Sequence, residues 1–310
     1  MEKINLKKTA LEISRIGLGT NAVGGHNLYS RLDETQGRAL VREALKQGIT
    51  FFDTADAYGL GRSEELLGEE LKSCRNDIII ATKGAIQLGR DGSRRINNRP
   101  EYLRAALEAS LRRLAMDYVD LYYIHRVDPE VPLAESVGAL ETLKTEGKIR
   151  AIGLSNATAE QLREADRSGV INAYQGAYNL LQRDVEADLL PYCVEAGISF
   201  IPYGPLAFGI LGGKYDENFK LAPEDWRNNV ALFRADQFSQ NLQRVAKLRE
   251  IAKTNAITLP NLALAWLLHQ PGVDAVIPGG KRPSQVSENV SASAVRLSEK
   301  DLEAMRDAAE

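Results

Sequence analysis

The stretch FFDTADAYGLGRSEELLG, residues 51–68, decides how the chain is read. It opens on an apolar pair, Phe51 and Phe52, with the character of a buried strand end. It closes as the first turns of a helix. Between them stand Asp53, Asp56, Tyr58 and two glycines. A plain strand-to-helix turn needs only Gly or Asn. Two carboxylates and a phenol at one junction therefore point to chemistry as well as chain reversal.

Working outward, the same grammar recurs. Apolar, β-branched or aromatic runs appear at 15–20, 49–55, 77–83, 119–125, 149–155, 172–178, 198–204 and 273–279. They are short and nearly continuous in hydrophobicity, as parallel strands covered on both faces should be. Helical patterns lie between them. Residues 33–48 carry a capping Asp33 and end at Gly48. Residues 99–114 have Pro100 in the first turn. Residues 133–147, 158–169 and 185–197 each end in glycine, the last with a candidate kink at Pro191, and 241–255 and 261–270 complete the set. Eight strands alternating with helices, with no break in composition, predict an α/β fold: one TIM-type (β/α)8 barrel spanning 1–310. Short strands within INLKKTALEISRIG would form a hairpin under it. A doubly wound open sheet is the alternative, but only GLGT follows the first strand where that fold would show GxGxxG. Two long polar insertions, 84–99 and 205–240, are expected to be functional loops, and residues 291–310 show no special feature.

Composition narrows the function. The 310 residues carry a net charge of −3, with no basic run of five, so no nucleic-acid partner is expected. No run of 18 apolar residues occurs, so no membrane partner is expected either. Cys74 and Cys193 are isolated, without metal-ligand spacing, which favours a reducing cytoplasm.

In a barrel, the C-terminal strand ends meet at one mouth. There the second run delivers Asp53, the third Lys83, the fourth His125, the fifth Ser155 and Asn156, the sixth Gln175 and the seventh Tyr203. Tyr58 folds back over the same opening, while Asp56 is expected to cap the following turn. An ammonium beside a phenol favours phenolate and should lower the tyrosine's pKa. Asp53 would hold Lys83 charged, and His125 would assist at a carbonyl oxygen. Each residue alone has a bland reading: a cap for Asp53 or Ser155–Asn156, a solvated end for Lys83, a structural imidazole for His125. Their convergence argues against those readings.

The motifs GLGT, DTADAYGLGRSEELLG, ATK, DLYYIH, GKIRAIGLSN, YNLLQRD, PYGPLAFGILGGKY and IPGGKRPSQVSEN, in this order from residue 4 to 309, resemble the aldo-keto reductases. The chain is most similar to the bacterial branch that also resembles potassium-channel β subunits and includes reductases encoded beside inositol-utilisation genes. The resemblance implies a catalytic tetrad of Asp53, Tyr58, Lys83 and His125, with Tyr58 as general acid in reducing an aldehyde or ketone. It implies NADPH as cofactor. Thr20 and Asn21 would line its nicotinamide end, Ser155, Asn156 and Gln175 would hold the carboxamide, and Tyr203 would stack on the ring. Pro205, Leu206, Ala207, Gly209 and Lys214 would fold over the pyrophosphate, with Arg227 closing from the same loop. Gly279, Lys281, Arg282, Gln285, Glu288 and Asn289 would hold the adenosine end, and Lys281 with Arg282 favours the 2′-phosphate of NADPH over NADH. Two competing expectations are a nicotinamide-binding sensor or regulatory subunit with little turnover, and an aldolase using Lys83 as a Schiff base. The expected partner is a small carbonyl compound, no metal is expected, and the chain is taken as a monomer.

Overall fold

The computed structural model describes residues 1–29, 32–89 and 93–309, so part of the loop expected at 84–99 lies outside the described residues. The chain starts with the expected hairpin. Strand β1 (Lys3–Asn5) pairs antiparallel with β2 (Glu12–Ser14), Ile4 opposite Ile13. Its Leu6, Leu11 and Ile13 are buried in one cluster with Phe51, Ile79, Leu121, Ala151 and Ala173, which belong to barrel strands, and with Ala275 of the closing segment. The Lys7 N–H donates to the Ser199 hydroxyl at a strand start, which fixes the hairpin under the barrel floor.

Above it runs a parallel sheet. In spatial order its strands are β3 (Leu18–Gly19), β4 (Phe51–Asp53), β5 (Ile79–Gly84), β8 (Val119–Ile124), β9 (Ile149–Ser155), β10 (Ala173–Ala177) and β11 (Ser199–Tyr203). The missing numbers belong to β6 (Ile86–Leu88) and β7 (Arg94–Ile96), an antiparallel hairpin built inside the loop expected at 84–99. The eighth apolar run closes the barrel by bridges and not as a continuous strand: Val273 pairs with Phe200 on one side and Val276 with Ile16 on the other. Gly17 N–H to Val276 O (2.8 Å) and Gly19 N–H to Pro278 O (3.1 Å) complete the seam. Pro278 has no N–H to donate, which explains the irregular pairing there.

The helices lie outside. Helix α1 (Glu34–Lys46) is capped by the Asp33 carboxylate, which accepts from the Thr35 N–H at 2.8 Å, as expected. It is followed by α2 (Arg62–Leu71) and by α3 (Pro100–Leu114), which has Pro100 in its first turn. α3 buries Leu103, Leu107, Leu111 and Leu114, a stripe at the helical period. Then come α4 (Leu133–Thr145) and α5 (Ala159–Ala165), the latter closed by a Thr158–Gln161 capping box. In α6 (Leu189–Glu195) Pro191 occupies the first turn, where a missing N–H costs nothing, so the expected kink does not arise. α7 (Ala235–Thr254) begins six residues before the expected 241, and α8 (Leu259–His269) follows. α9 (Pro283–Ser291) forms within the IPGGKRPSQVSEN motif, and α10 (Glu299–Ala309) lies in the tail at 291–310 that carries no marked sequence signal. No helix among the described residues is long and apolar enough to cross a membrane.

Candidate active site

The opening stretch resolves into a strand end and a left-handed turn. β4 ends at Asp53, and Tyr58 precedes three consecutive residues at positive φ: Gly59 (61°), Leu60 (57°) and Gly61 (94°). Glycine adopts this region freely, while Leu60 costs about 1–3 kcal/mol there. At Gly59 a Cβ would stand 1.9 Å from the Gly24 carbonyl oxygen, so the tight approach of two loops demands glycine independently of φ. Asn27 fastens the turn from across the gap. Its side chain accepts from the Gly59 N–H (2.7 Å) and donates to the Ala57 carbonyl (3.0 Å). The phenol of Tyr58 is thereby held over the barrel mouth.

Beneath it Lys83 is fully buried at the end of β5. Its Nζ lies 2.5 Å from Asp53 Oδ1, 2.7 Å from the Thr54 carbonyl oxygen and 5.3 Å from the centre of the Tyr58 ring. Gln175 Nε2 donates to the other Asp53 oxygen at 2.8 Å. The His125 ring stands edge-on to Tyr58, centroids 6.4 Å apart. The four groups, read from three strand ends, therefore form one cluster.

Their electrostatics correct one expectation. Lys83 does pull the Tyr58 pKa down, but burial of the phenol is the larger effect and the net shift is upward. Tyr58 is thus a neutral phenol near neutral pH. Lys83 is held charged: burial is the largest single effect and pulls its pKa down, but the interactions with Asp53 and Tyr58 together outweigh it and the net shift is upward. Burial, reinforced by Lys83, Arg126 and Arg94, holds His125 well below the usual imidazole range, so it is neutral, with Nδ1 buried and unpartnered. Asp56 does not cap the next turn. Its Oδ1 is buried without a partner, and burial plus the nearby Glu64 carboxylate push its pKa up to about 8.

A second network links the strand ends around the mouth. The Tyr203 hydroxyl donates to Asn156 Oδ1 (2.8 Å), and Asn156 Nδ2 donates to the His125 carbonyl (3.1 Å) and to the Ser155 hydroxyl (3.0 Å). Asn156 sits at φ 55°, a left-handed position that asparagine tolerates better than most residues.

From this mouth a cleft of about 1220 Å³ extends toward the segment after residue 277. Of the residues singled out in the sequence, Thr20, Asn21, Asp53, Tyr58, His125, Asn156, Gln175, Tyr203, Pro205, Leu206, Gly209, Lys214, Arg227, Gly279, Lys281, Gln285, Glu288 and Asn289 line it. Lys83, Ser155 and Ala207 are buried just behind its wall. Arg282 is exposed and outside the lining; it precedes α9, where its carbonyl accepts from the Gln285 N–H. Gln285 Oε1 accepts from the Lys281 N–H at 2.9 Å. Arg227 is clamped by Asp225 and by the Tyr215 hydroxyl.

The sequence reading missed several lining groups. Trp226 packs edge-on against Tyr29 and Phe208, so the 205–234 excursion reaches across the cleft to the loop after β3. Lys281 Nζ lies 4.4 Å from the Tyr29 ring centre in the same bridge. Arg94, from β7, and Arg126 line the opposite side. A tryptophan in a long polar insertion was the available signal for the first of these features.

The chain matches the Aldo/keto reductase family over residues 15–310. It is 38% identical over 312 residues to the probable aldo-keto reductase 1 of Glycine max, covering 97% of this chain and 87% of that protein. It is 36% identical over 324 residues to the NADH-specific methylglyoxal reductase of Escherichia coli (strain K12), covering 100% and 99%. The solved structure of a glycerol dehydrogenase from Gluconobacter oxydans superimposes with a TM-score of 0.91 at 31% identity, covering 99% of this chain and 94% of that one.

Proposed function

The chain belongs to the aldo/keto reductase family, and from that premise we propose that it is an NADPH-dependent reductase of aldehydes or ketones, with Tyr58 as general acid. The observation that carries this reading is the placement of a buried, carboxylate-held ammonium directly under a neutral phenol at the mouth of the cleft. Pocket, charge and wall suit a nicotinamide dinucleotide. The cleft exceeds the ordinary volume of a small-ligand site. Lys214, Arg227, Arg249, Lys253 and Lys281 line its far side, suited to phosphates, and Tyr203 offers an aromatic face beside the mouth. Asn156, Gln175 and Ser155 would hold the carboxamide, and Glu288 and Asn289 the adenine. When bound, the nicotinamide supplies hydride to the carbonyl carbon.

The chain's own residues supply the proton and the charge. Tyr58 donates its hydroxyl proton to the carbonyl oxygen as negative charge develops there. Lys83 stabilises the phenolate left behind, and Asp53 keeps the ammonium aimed, itself held by Gln175. His125, neutral, can donate one ring N–H to the same oxygen. Preference for NADPH over NADH rests on Lys281 in the cleft wall; the Escherichia coli relative, described as NADH-specific, makes this a point to measure. Two free thiols, Cys74 and Cys193, fit a cytoplasmic site.

The test is cofactor titration by fluorescence, then loss of nicotinamide absorbance on adding an aldehyde. Tyr58→Phe should bind NADPH as the parent does and turn over about 10²–10⁴-fold more slowly. Full activity in that variant would refute the assignment.

A further inference from the structure

Five of the cations in the cleft wall lie on the side of β11 and the closing segment, where a dinucleotide's phosphates would use them. Arg94 and Arg126 do not belong to that group. They come from the loops after β5 and β8, across the barrel, next to Tyr58 and His125. The strand period explains why Arg94 points inward. In the β6–β7 hairpin, Leu88 pairs with Arg94 and Ile86 with Ile96, so these side chains share a face. Ile86, Leu88 and Arg94 all line the cleft.

Among the described residues neither cation has a counter-ion: neither guanidinium makes an ion pair or a side-chain hydrogen bond, although Arg104, Arg113, Arg163 and Arg227 each hold a carboxylate within 2.7 Å. The two charges also feel each other: partial burial, then Arg126, lowers the pKa of Arg94. Two guanidiniums that line the cleft with Tyr58 and His125, with no carboxylate partner among the described residues, are a seat for an oxyanion.

We infer that the substrate is an aldehyde or ketone that carries an anionic group, a carboxylate or a phosphate ester, which Arg94 and Arg126 bind while Tyr58 meets the carbonyl. This rests on the reductase reading and names its substrate class. The hairpin's Ile86 and Leu88 bound the carbon chain between the two ends.

The experiment compares kcat/KM within matched pairs: butanal against succinic semialdehyde, and glyceraldehyde against its phosphate ester. The anionic member of at least one pair should be favoured by about 10- to 100-fold at low salt, the size of a charge-assisted contact, and the preferred pair identifies carboxylate or phosphate. Arg94→Gln should reduce that ratio about tenfold through KM, with Arg94→Lys intermediate because charge remains without the planar fork. Equal kcat/KM within both pairs, or a ratio unchanged in Arg94→Gln, overturns the inference and leaves the reductase reading standing. NADPH binding with no turnover of any of the four aldehydes overturns both.

Discussion

Replacing Lys83 by methionine tests the centre of the site without touching the cleft surface. The side chain is fully buried, and so, nearly, is its partner Asp53, at 2% exposure. Methionine fills a similar volume but leaves Asp53 Oδ1 and the Thr54 carbonyl without their 2.5 and 2.7 Å donor. Breaking one side of a buried ion pair costs about 3–5 kcal/mol. At roughly 2.1 cal/mol/K per residue, unfolding 310 residues carries about 0.65 kcal/mol/K, so Tm should fall about 5–8 °C. The double variant Lys83→Met, Asp53→Asn removes the stranded charge. It should regain about 1–3 kcal/mol over the sum of the single losses. Calorimetry on the four proteins closes the cycle. A Lys83→Met midpoint within about 1 °C of the parent, or strict additivity of the two changes, would refute the picture of a mutually dependent buried pair.

Other expectations concern separate features. Because burial raises the Tyr58 pKa, carbonyl reduction should stay flat with pH through neutrality, while alcohol oxidation, which needs the phenolate, should climb into the alkaline range; an oxidation profile that levels off below pH 8 contradicts this. Asp56, with its folded pKa raised from 3.8 to about 8, contributes stability that is fully present below about pH 4 and is lost as pH rises to about 8. Asp56→Asn should therefore match the parent's urea midpoint near pH 4 and exceed it near pH 9; equal midpoints at both would show that the carboxyl is not desolvated. Gly84→Ala places a Cβ 2.1 Å from the buried Tyr122 hydroxyl oxygen, which must leave the Leu103 carbonyl it donates to, so a loss of about 1–3 kcal/mol is expected in denaturation. Trp226→Ala removes the contacts with Tyr29 and Phe208 and should speed NADPH dissociation in stopped-flow fluorescence, with an unchanged rate as the contrary result.

How far the sequence spoke depended on the kind of signal. Strand ends were legible because a buried parallel strand needs a continuous apolar run, so the first polar residue after it marks the mouth; Asp53, Lys83 and His125 were found that way. The Asp33 cap was legible for a similarly local reason. The start of α7 was not, since Arg234 caps it without a side-chain bond and no Ser, Thr, Asp or Asn stands directly before the helix. The β6–β7 hairpin hid in a polar stretch because both its strands are three residues long, too short to display alternation convincingly. The direction of the Tyr58 shift depends on how much water reaches the phenol, a quantity that no local pattern records. The same is true of Asp56, which has the ordinary sequence context of a turn residue but is buried within the electrostatic reach of Glu64.

The seam that closes the barrel has a bearing on how the protein is made. Its bonds join residues 16–19 to 276–278, about 260 residues apart. A ribosome adding about 5–20 residues per second needs about 13–52 s to travel between them. Throughout that interval β3 and, once synthesised, β11 are open sheet edges with unpaired N–H and C=O groups. The nascent polypeptide is thus exposed to intermolecular strand pairing throughout that interval, and yield in the cell should respond to translation speed and chaperone supply.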